Sequence, residues 1–399
     1  IEKQVEEVRK VKRAENVMIE DPIVVLPTIS IQEAQDIMRR EEVSSVLVVN
    51  AEKKLVGIVT ARDILFEDDV KKRIAEIMTK KVITGDPRIS LLKARELLHT
   101  YKIEKLPLIK KNRTVAGLIT LKDILKQIYN PLAAKDKRGR LLVGAAVGVK
   151  DDTLSRANAL FAAGADVLVV DIAHGHNVRA LETIQKLRKV FGKKIDLIAG
   201  NIATKEAALD LIRAGADALK VGIGPGAACT TRIVTGVGIP QLTAIQNVVS
   251  VTKKRNIPVI ADGGIKNSGD SAKALAAGAH TVMIGKLFAG CKESPGDIIM
   301  ERGVAYKYYR GMASFEAGKD KAHLDGGAGD GFNRAPEGTS GKIAYRGEAR
   351  MVIGDLIAGL RSSMSYLGAR NLMEFAKNAE FIKITNASFL ESHPHGIEF

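Results

Sequence analysis

Three stretches of this 399-residue chain repeat one theme, which restricts the fold more than any other feature: AAGADVLVVD, RAGADALKVG and AAGAHTVMIG. In each, a helical pattern ends at a glycine and a short apolar run follows, which predicts a buried parallel strand after a tight turn. Six apolar runs are of this kind: Leu141–Val147, Val167–Asp171, Asp196–Ala199, Ala218–Gly222, Pro258–Asp262 and Thr281–Gly285. The alternation predicts an α/β fold of the TIM (β/α)8 barrel type, in which functional groups gather at the carboxyl ends of the strands.

The composition is that of a folded protein able to bury substantial cores, with 46% hydrophobic and 27% charged residues. No apolar run reaches the ~20 residues of a membrane helix, and no secretory pattern opens the chain. Cys229 and Cys291 are the only cysteines, which argues against a disulfide framework and predicts a cytoplasmic protein. The formal net charge of +15 suits anionic ligands such as nucleotides. Nucleic acid is a weaker candidate, because the basic residues are dispersed and aromatics make up only 4%.

The amino-terminal part contains an internal repeat. The segment Gly57-Ile58-Val59-Thr60 corresponds to Gly117-Leu118-Ile119-Thr120, and Asp63 corresponds to Asp123. Each copy predicts a short strand, an amphipathic helix, two strands joined by a polar turn, and a second helix. We expect the copies to pack as a pair, because neither can close a large core alone.

The repeat resembles the tandem cystathionine-β-synthase-type (CBS, or Bateman) module. In that family the threonine after the last strand and the aspartate three residues later contact adenine or guanine nucleotides. The resemblance therefore makes candidate ligands of Thr60, Asp63, Thr120 and Asp123. The same spacing is also that of a helix-capping box, which would leave the module purely structural. Both interpretations stay open.

A glycine-rich loop follows the fourth apolar run. The segment from Val221 to Gln241 reads VGIGPGAACTTRIVTGVGIPQ and carries Cys229 close to two threonines and Arg232. A cysteine on a loop beside hydroxyls and an arginine is typical of a covalent nucleophile. The alternative is a phosphate-binding loop with an incidental buried cysteine.

With the stretch ADGGIKNSGDSAKALAAGAHTVMIG, the repeat and this loop resemble the inosine-5′-monophosphate (IMP) dehydrogenase and guanosine-5′-monophosphate (GMP) reductase family over the whole chain. The resemblance implies a barrel interrupted by the CBS module after its second helix, with the first two βα units preceding Ile1. The implied domains are 1–16 (tail of barrel helix 2 and linker), 17–73 and 74–131 (CBS domains 1 and 2), and 132–399 (barrel strands 3–8, with a flap at about 315–345).

The resemblance also implies roles for individual residues. Cys229 would attack C2 of the purine, and Thr231 would help to handle the water that hydrolyses the adduct. Asp262 would accept the ribose hydroxyls. The other implied contacts to the substrate are Gly264, Gly285, Lys286, Tyr309, Gly311, Met312, Ala313 and Glu337.

The implied cofactor is NAD, with Asp171, Asn201 and Gly222 along its channel. The implied metal is potassium, held by the carbonyl groups of Gly224, Gly226 and Cys229. A homotetramer or octamer is the implied assembly, and IMP and xanthosine monophosphate (XMP) are the implied substrate and product.

Two departures from the family pattern bear on activity. Ala227 stands where a phosphate-binding serine is usual, and Lys286 stands where serine is frequent. The flap lacks the expected Arg-Tyr pair, in which the arginine is the base for hydrolysis, and Asp330-Gly331-Phe332 falls roughly at its place. A local error in the sequence and genuine divergence would each explain this loss.

Three hypotheses follow. The first is an IMP dehydrogenase, favoured by the segment RIVTGVGIPQ. The second is a GMP reductase, which needs no flap arginine; in that enzyme, however, a glutamate directly follows the serine of the GMxS segment, and here Phe315 does, with Glu316 one position later. The third is a nucleotide-sensing paralogue without turnover.

Overall fold

The computed structural model describes residues 1–14, 18–65, 67–129, 131–137, 139–324 and 335–394. The chain divides into two compact units. The first comprises Ile1–Val143 and Ala159–Asp166, and the second comprises Gly144–Asn158 and Val167–Phe399.

The first unit contains the sixty-residue repeat. Its helices are α1 (Glu2–Ala14), α2 (Ile31–Arg40), α3 (Ala61–Leu65), α4 (Ile74–Ile77), α5 (Leu91–Thr100) and α6 (Leu121–Tyr129). Its strands are β1 (Val24–Val25), β2 (Ser45–Val49), β3 (Leu55–Thr60), β4 (Lys105–Ile109) and β5 (Val115–Thr120). Strands β1, β2 and β3 form one sheet in that order, and β4 and β5 form another. The serine caps that begin α2 and α5, Ser30 and Ser90, are also sixty residues apart.

Backbone pairing between the copies is reciprocal. Ile19, before the first copy, bridges to Leu118 in the second, and Thr79, before the second copy, bridges to Ile58 in the first. Leu47 and Leu55 of the first copy are buried in one apolar cluster with Leu118 of the second. The two copies therefore share a core, as expected for segments too short to bury one each.

The second unit is built around six parallel strands. They are β6 (Gly144–Val147), β7 (Val167–Asp171), β8 (Asp196–Ile202), β9 (Ala218–Val221), β10 (Val259–Asp262) and β11 (Thr281–Met283). They lie in chain order across one sheet. The intervening helices are α7 (Thr153–Ala162), α8 (Val178–Phe191), α9 (Lys205–Ala214), α10 (Thr231–Val234), α11 (Gln241–Thr252) and α12 (Ser268–Ala276). The predicted α/β class and the six parallel strands are thus confirmed.

The glycines of the repeated phrases end helices as predicted. Gly164, Gly215 and Gly278 all have positive φ angles, which a residue with a Cβ adopts only at a cost. Gly215 is the left-handed cap of α9, whose first turn is capped by the Thr204 hydroxyl. The chain turns at each of these glycines, so that the segment after the helix leads into the next strand.

Three strand boundaries differ from the prediction by two residues or more. The first run was expected to form a strand from Leu141, but β6 begins at Gly144, and Leu141 instead bridges to Lys135. The third run was expected to end at Ala199, but β8 continues to Ile202. The last run ends at Met283, because Gly285 caps the next helix rather than extending the strand.

The rest of the second unit follows β11. Helix α13 (Lys286–Ala289) leads to an antiparallel sheet of β12 (Ile298–Glu301), β13 (Val304–Arg310) and β14 (Ser340–Ala344). The remaining helices are α14 (Phe315–Leu324), α15 (Ala349–Tyr366), α16 (Leu372–Asn378) and α17 (Asn386–Glu391). Of the helices in the described ranges, none has the length and apolar character to cross a membrane.

Candidate active site

Polar side chains from neighbouring strands meet at the carboxyl edge of the parallel sheet. Asp171 ends β7, Asn201 is the second-last residue of β8, and Asp262 ends β10. The Asn201 amide donates from Nδ2 to Oδ2 of Asp262 (3.0 Å) and to the carbonyl oxygen of Gly222 (2.8 Å). The sequence placed Asn201 beyond its strand, whereas the extra length of β8 fixes it inside the sheet.

A buried lysine joins two of these residues. Lys220 lies within β9 and is 2% exposed. Its ammonium group contacts Oδ1 of Asp171 at 2.9 Å and also contacts Oδ2 of Asp262. Sequence reasoning missed this residue, although one charged side chain inside the apolar run ALKV was a signal that could have found it.

The cysteine loop places three side chains in a hydrogen-bonded row. The half-buried Cys229 thiol donates to Oγ1 of Thr231 at 3.1 Å, and the Thr231 hydroxyl donates to Oε2 of Glu337 at 2.8 Å. The backbone N–H of Cys229 donates to the carbonyl oxygen of Gly226 (3.1 Å), which turns the chain just before the thiol.

Backbone bonds hold the cysteine loop against two later segments. Thr230 N–H donates to the Glu337 carbonyl (2.9 Å), and Glu337 N–H donates to the Ala313 carbonyl (3.1 Å). Thr339 N–H donates to the carbonyl of Ala228 (2.9 Å). The loop, the 311–314 segment and the 337–339 segment therefore form one assembly around the thiol.

Two close approaches explain why glycine is needed here. A Cβ at Gly222, whose φ is +153°, would lie 2.0 Å from the carbonyl oxygen of Asp262. A Cβ at Gly338 would lie 2.9 Å from the backbone nitrogen of Ser314. Both neighbours are backbone atoms and cannot move aside cheaply.

The expected phosphate contacts include glycines that follow β10 and β11 and a tyrosine on β13. The Tyr309 hydroxyl lies 3.1 Å from where a Cβ on Gly285 would stand. Burial, and then the charge of Asp262, raise the pKa of Tyr309 above its ordinary value. Gly264 has a φ of +81° and would bring a Cβ within 3.4 Å of Pro225 in the cysteine loop.

Other expected substrate residues are exposed. Met312 is 91% exposed, and the Lys286 side chain is exposed and makes no hydrogen bond or ion pair with a described residue. A Cβ on Gly311 would approach the carbonyl oxygen of Ala228 at 3.1 Å. Ala227 is exposed on the cysteine loop. The substituted flap positions at 330–332 lie outside the described residues, and α14 and β14 form the two ends of the predicted flap.

An apolar hollow of about 140 Å³ lies beside the loop after β8. Its lining residues are His174, His176, Ile202, Ala203, Thr204, Ala207, Ile223, Val237, Gly238 and Ile239. Arg232 packs against Gly224 and Gly238, and its Nη2 donates to the carbonyl of Ile239 at 2.7 Å. This contact ties the two glycine-rich ends of the cysteine loop together.

The candidate regulatory residues lie in the first unit. The Thr60 hydroxyl donates to Oδ2 of Asp63 at 2.8 Å, and the Thr120 hydroxyl donates to Oδ2 of Asp123 at 2.5 Å. Each pair also makes one backbone bond of a capping box: Thr60 N–H donates to Oδ2 of Asp63 at 2.7 Å, and Asp123 N–H donates to the Thr120 hydroxyl oxygen at 3.2 Å.

Comparison with known proteins gives consistent matches. Residues 1–395 match the family model described as the IMP dehydrogenase / GMP reductase domain. The chain is 50% identical to inosine-5′-monophosphate dehydrogenase of Aquifex aeolicus over 402 residues, which cover 100% of this chain and 82% of the relative. It is 49% identical to the enzyme of that name from Helicobacter pylori over 403 residues, with the same coverage.

A solved structure is also similar to the chain. It is a GMP reductase variant from Trypanosoma brucei in complex with guanosine 5′-monophosphate, with a TM-score of 0.91 and 40% identity. The match covers 100% of this chain and 84% of that one.

Proposed function

The chain belongs to the IMP dehydrogenase / GMP reductase family, and from this premise we propose that it is an IMP dehydrogenase that converts IMP to XMP. The observation that carries the proposal is the row Cys229–Thr231–Glu337. It places a nucleophile, a hydroxyl and a proton-accepting carboxylate in hydrogen-bond contact at the ends of the parallel strands.

In the first half-reaction, the thiol of Cys229 forms a bond to C2 of IMP. A free thiol is mostly protonated near neutral pH, so its proton must leave. It passes to Thr231 as the threonine proton passes to Glu337, and from there to solvent. The hydrogen on C2 then leaves as a hydride with its electron pair, and the purine remains bonded to sulfur as a thioimidate.

In the second half-reaction, water attacks C2 and the carbon–sulfur bond breaks. Sulfur carries no proton in the adduct, so the Thr231 oxygen can accept the proton of the water while its own proton moves to Glu337. XMP leaves, and the sulfur of Cys229 regains a proton from Glu337 through Thr231, which restores the thiol. This route uses described residues only and needs no flap arginine.

The geometry supports the assignment of the substrate contacts. Oδ2 of Asp262 is occupied by Lys220 and Asn201, which leaves Oδ1 to accept a ribose hydroxyl. The Tyr309 hydroxyl and the backbone of Gly264 and Gly285 would face the phosphate, with Gly311, Met312 and Ala313 beside the purine. Lys286 is exposed at the start of α13 and would add a charge-assisted contact that replaces the hydroxyl missing at Ala227.

The residues on the cofactor side fit NAD. Oδ1 of Asn201 is buried with no hydrogen-bond partner among the described residues, and an unpaired buried acceptor is costly unless a ligand or water supplies a donor. The Asp171 side chain is 44% exposed and can accept ribose hydroxyls, and Gly222 leaves room beside it. NAD, when bound, supplies the acceptor for the hydride from C2.

The cysteine loop also fits a potassium ion. Gly224, Gly226 and Cys229 lie within six consecutive residues of the loop, and the bond from Cys229 N–H to the Gly226 carbonyl closes a turn between the last two. Backbone carbonyls are the ligands that replace the hydration shell of potassium in proteins. The Gly226 oxygen accepts one N–H bond and retains a second lone pair. A bound cation would hold the loop that carries the thiol.

For the first unit we propose a CBS module that binds adenine or guanine nucleotides through Thr60, Asp63, Thr120 and Asp123. The duplicated Thr–Asp pairs, at matching positions of two paired copies, support this proposal. We further propose a cytoplasmic homotetramer or octamer.

Incubation with IMP and NAD tests the proposed activity. We expect steady NADH formation by the wild-type protein and none by Cys229→Ala. NADH formation that stops after one equivalent, with the purine bonded to Cys229, would show that the oxidation half-reaction proceeds without hydrolysis. No NADH formation at all would overturn the proposal.

GMP reductase is the second candidate, because the chain superposes on the T. brucei GMP reductase with a TM-score of 0.91. Consumption of NADPH in the presence of GMP, without NADH formation from IMP, would support it. If neither assay shows activity but the first unit binds a nucleotide, the result would instead support a nucleotide-sensing paralogue without turnover.

A further inference from the structure

The structure places one positive charge between the two halves of the active site. Lys220 lies on β9, between β8 and β10 in the sheet, and its side chain is 3% exposed. Removing an ammonium group from water is costly unless opposite charges compensate it. Here the compensation comes from Asp171, on the cofactor side, and Asp262, on the substrate side.

The two oxygens of each carboxylate differ in their contacts. Lys220 holds Oδ1 of Asp171 and Oδ2 of Asp262, and Asn201 adds a second donor to that Oδ2. Among the residues with described positions, none donates a hydrogen bond to Oδ2 of Asp171 or Oδ1 of Asp262. One oxygen of each carboxylate is therefore fixed within the sheet, and the other is available to a ligand hydroxyl.

Without the ammonium group these carboxylates would repel each other. Two carboxylates that share one site cannot both stay ionised cheaply, and removing one partner from a buried ion pair leaves an uncompensated charge. Each aspartate would then shift its position or take up a proton. Either change would weaken its hold on a ribose hydroxyl.

We propose that Lys220 is a positioning residue that acts as the shared counter-ion of Asp171 and Asp262. This inference rests on the proposed function for the identity of the two ligands. Its consequence is specific: once Lys220 is neutral, the charge of Asp171 weakens binding at the substrate site, although Asp171 belongs to the cofactor site.

The test is a double-mutant cycle on IMP binding, measured by calorimetry with no cofactor present. Lys220→Met should raise the Kd for IMP at least about tenfold, and Asp171→Asn should change it less than about twofold. Lys220→Met combined with Asp171→Asn should bind IMP to within about threefold of the wild-type protein, because removal of one carboxylate relieves the repulsion. A residue that only fills space would give additive losses.

Lys220→Arg is the matched charge-retaining variant and keeps the test decisive if Lys220→Met does not fold. It should bind IMP to within about threefold of wild type, since a guanidinium group can contact two carboxylates. Additive losses in the cycle, or an arginine variant as weak as the methionine variant, would overturn this inference alone. Wild-type protein that binds no IMP would overturn both the inference and the proposed function.

Discussion

Thr231 and Glu337 are 106 residues apart in the chain and joined by a 2.8 Å hydrogen bond. The bond forms beside a backbone contact, in which Thr230 N–H donates to the Glu337 carbonyl at 2.9 Å. On the other side of Thr231, the thiol of Cys229 lies 3.1 Å from the same hydroxyl. One threonine therefore connects the thiol to a carboxylate that can take its proton.

Glu337→Gln should slow both half-reactions, because the thiol proton and the proton of the attacking water both pass through Thr231 to Glu337. Glutamine keeps the size and the hydrogen bond of the glutamate but cannot accept a proton. We expect the initial formation of NADH and the steady rate each to fall about 10²–10⁴-fold below wild type, the range that general bases contribute. Rapid-mixing measurement of NADH gives both phases.

Glu182→Gln is the control for that experiment. Glu182 is an exposed glutamate that lies 3.8 Å from Lys186 on helix α8, far in sequence from the cysteine loop, and its replacement should leave both phases unchanged. A steady rate for Glu337→Gln equal to that of wild type would contradict the proton route through Thr231.

Gly338→Ala should disrupt the assembly around the thiol. The new Cβ would lie 2.9 Å from the Ser314 nitrogen and 3.0 Å from the Ala313 carbonyl carbon, both of them backbone atoms. We expect a loss of about 1–3 kcal/mol in the free energy of unfolding, the usual range for overpacking, and reduced turnover.

Gly341→Ala, three residues later on β14, provides the comparison, because nothing lies within 4 Å of its Cβ position. Urea unfolding should give the same free energy for this variant as for wild type, or a slightly higher one. Equal stability of Gly338→Ala and Gly341→Ala would show that the 337–339 segment is free to shift.

The features predicted correctly from the sequence are those that depend on local patterns. The six parallel strands follow from short apolar runs, and the helix ends follow from glycines such as Gly215, whose φ is +111°. The contact between Cys229 and Thr231 follows from their spacing on one loop. Each of these signals lies within about ten residues of the feature it predicts.

The features that were missed depend on residues distant in the chain. Lys220 and Asp262 are 42 residues apart in the chain, and they meet only because β9 and β10 pair in the sheet. The end of β8 was predicted too early, because Asn201 has a polar side chain whose partners lie on other strands. No local pattern indicates these contacts, so the interactions of Lys220 and Asn201 with Asp262 could not be predicted from the sequence alone.

Alkylation should distinguish the two cysteines. Burial, and then the charge of Glu293, raise the pKa of the Cys291 thiol, which is 1% exposed. We expect iodoacetamide at about pH 7.5 to modify Cys229 and not Cys291, since the thiolate is the reactive form. Peptide mass mapping reads this out, and IMP should protect Cys229.

The matching variants are Cys229→Ser and Cys291→Ser. The first should abolish NADH formation. The second should retain it, because a serine hydroxyl can donate to the Leu287 carbonyl as the Cys291 thiol does at 3.4 Å. Modification of Cys291 in the folded protein would contradict its assignment as a structural residue.

Tyr309 should make the protein more sensitive to alkaline pH. Burial and the charge of Asp262 raise its folded-state pKa above the ordinary value, so the folded protein keeps the phenol proton where the unfolded chain has lost it. This contribution to stability is complete below about pH 10, the unfolded value, and disappears as pH rises through the folded-state pKa. Urea midpoints at about pH 9 and about pH 11 should therefore differ less in Tyr309→Phe than in wild type.

Tyr366→Phe removes a tyrosine that is 92% exposed and should behave as wild type. Equal losses in all three proteins would show that the Tyr309 hydroxyl is as well solvated in the folded state as in the unfolded chain.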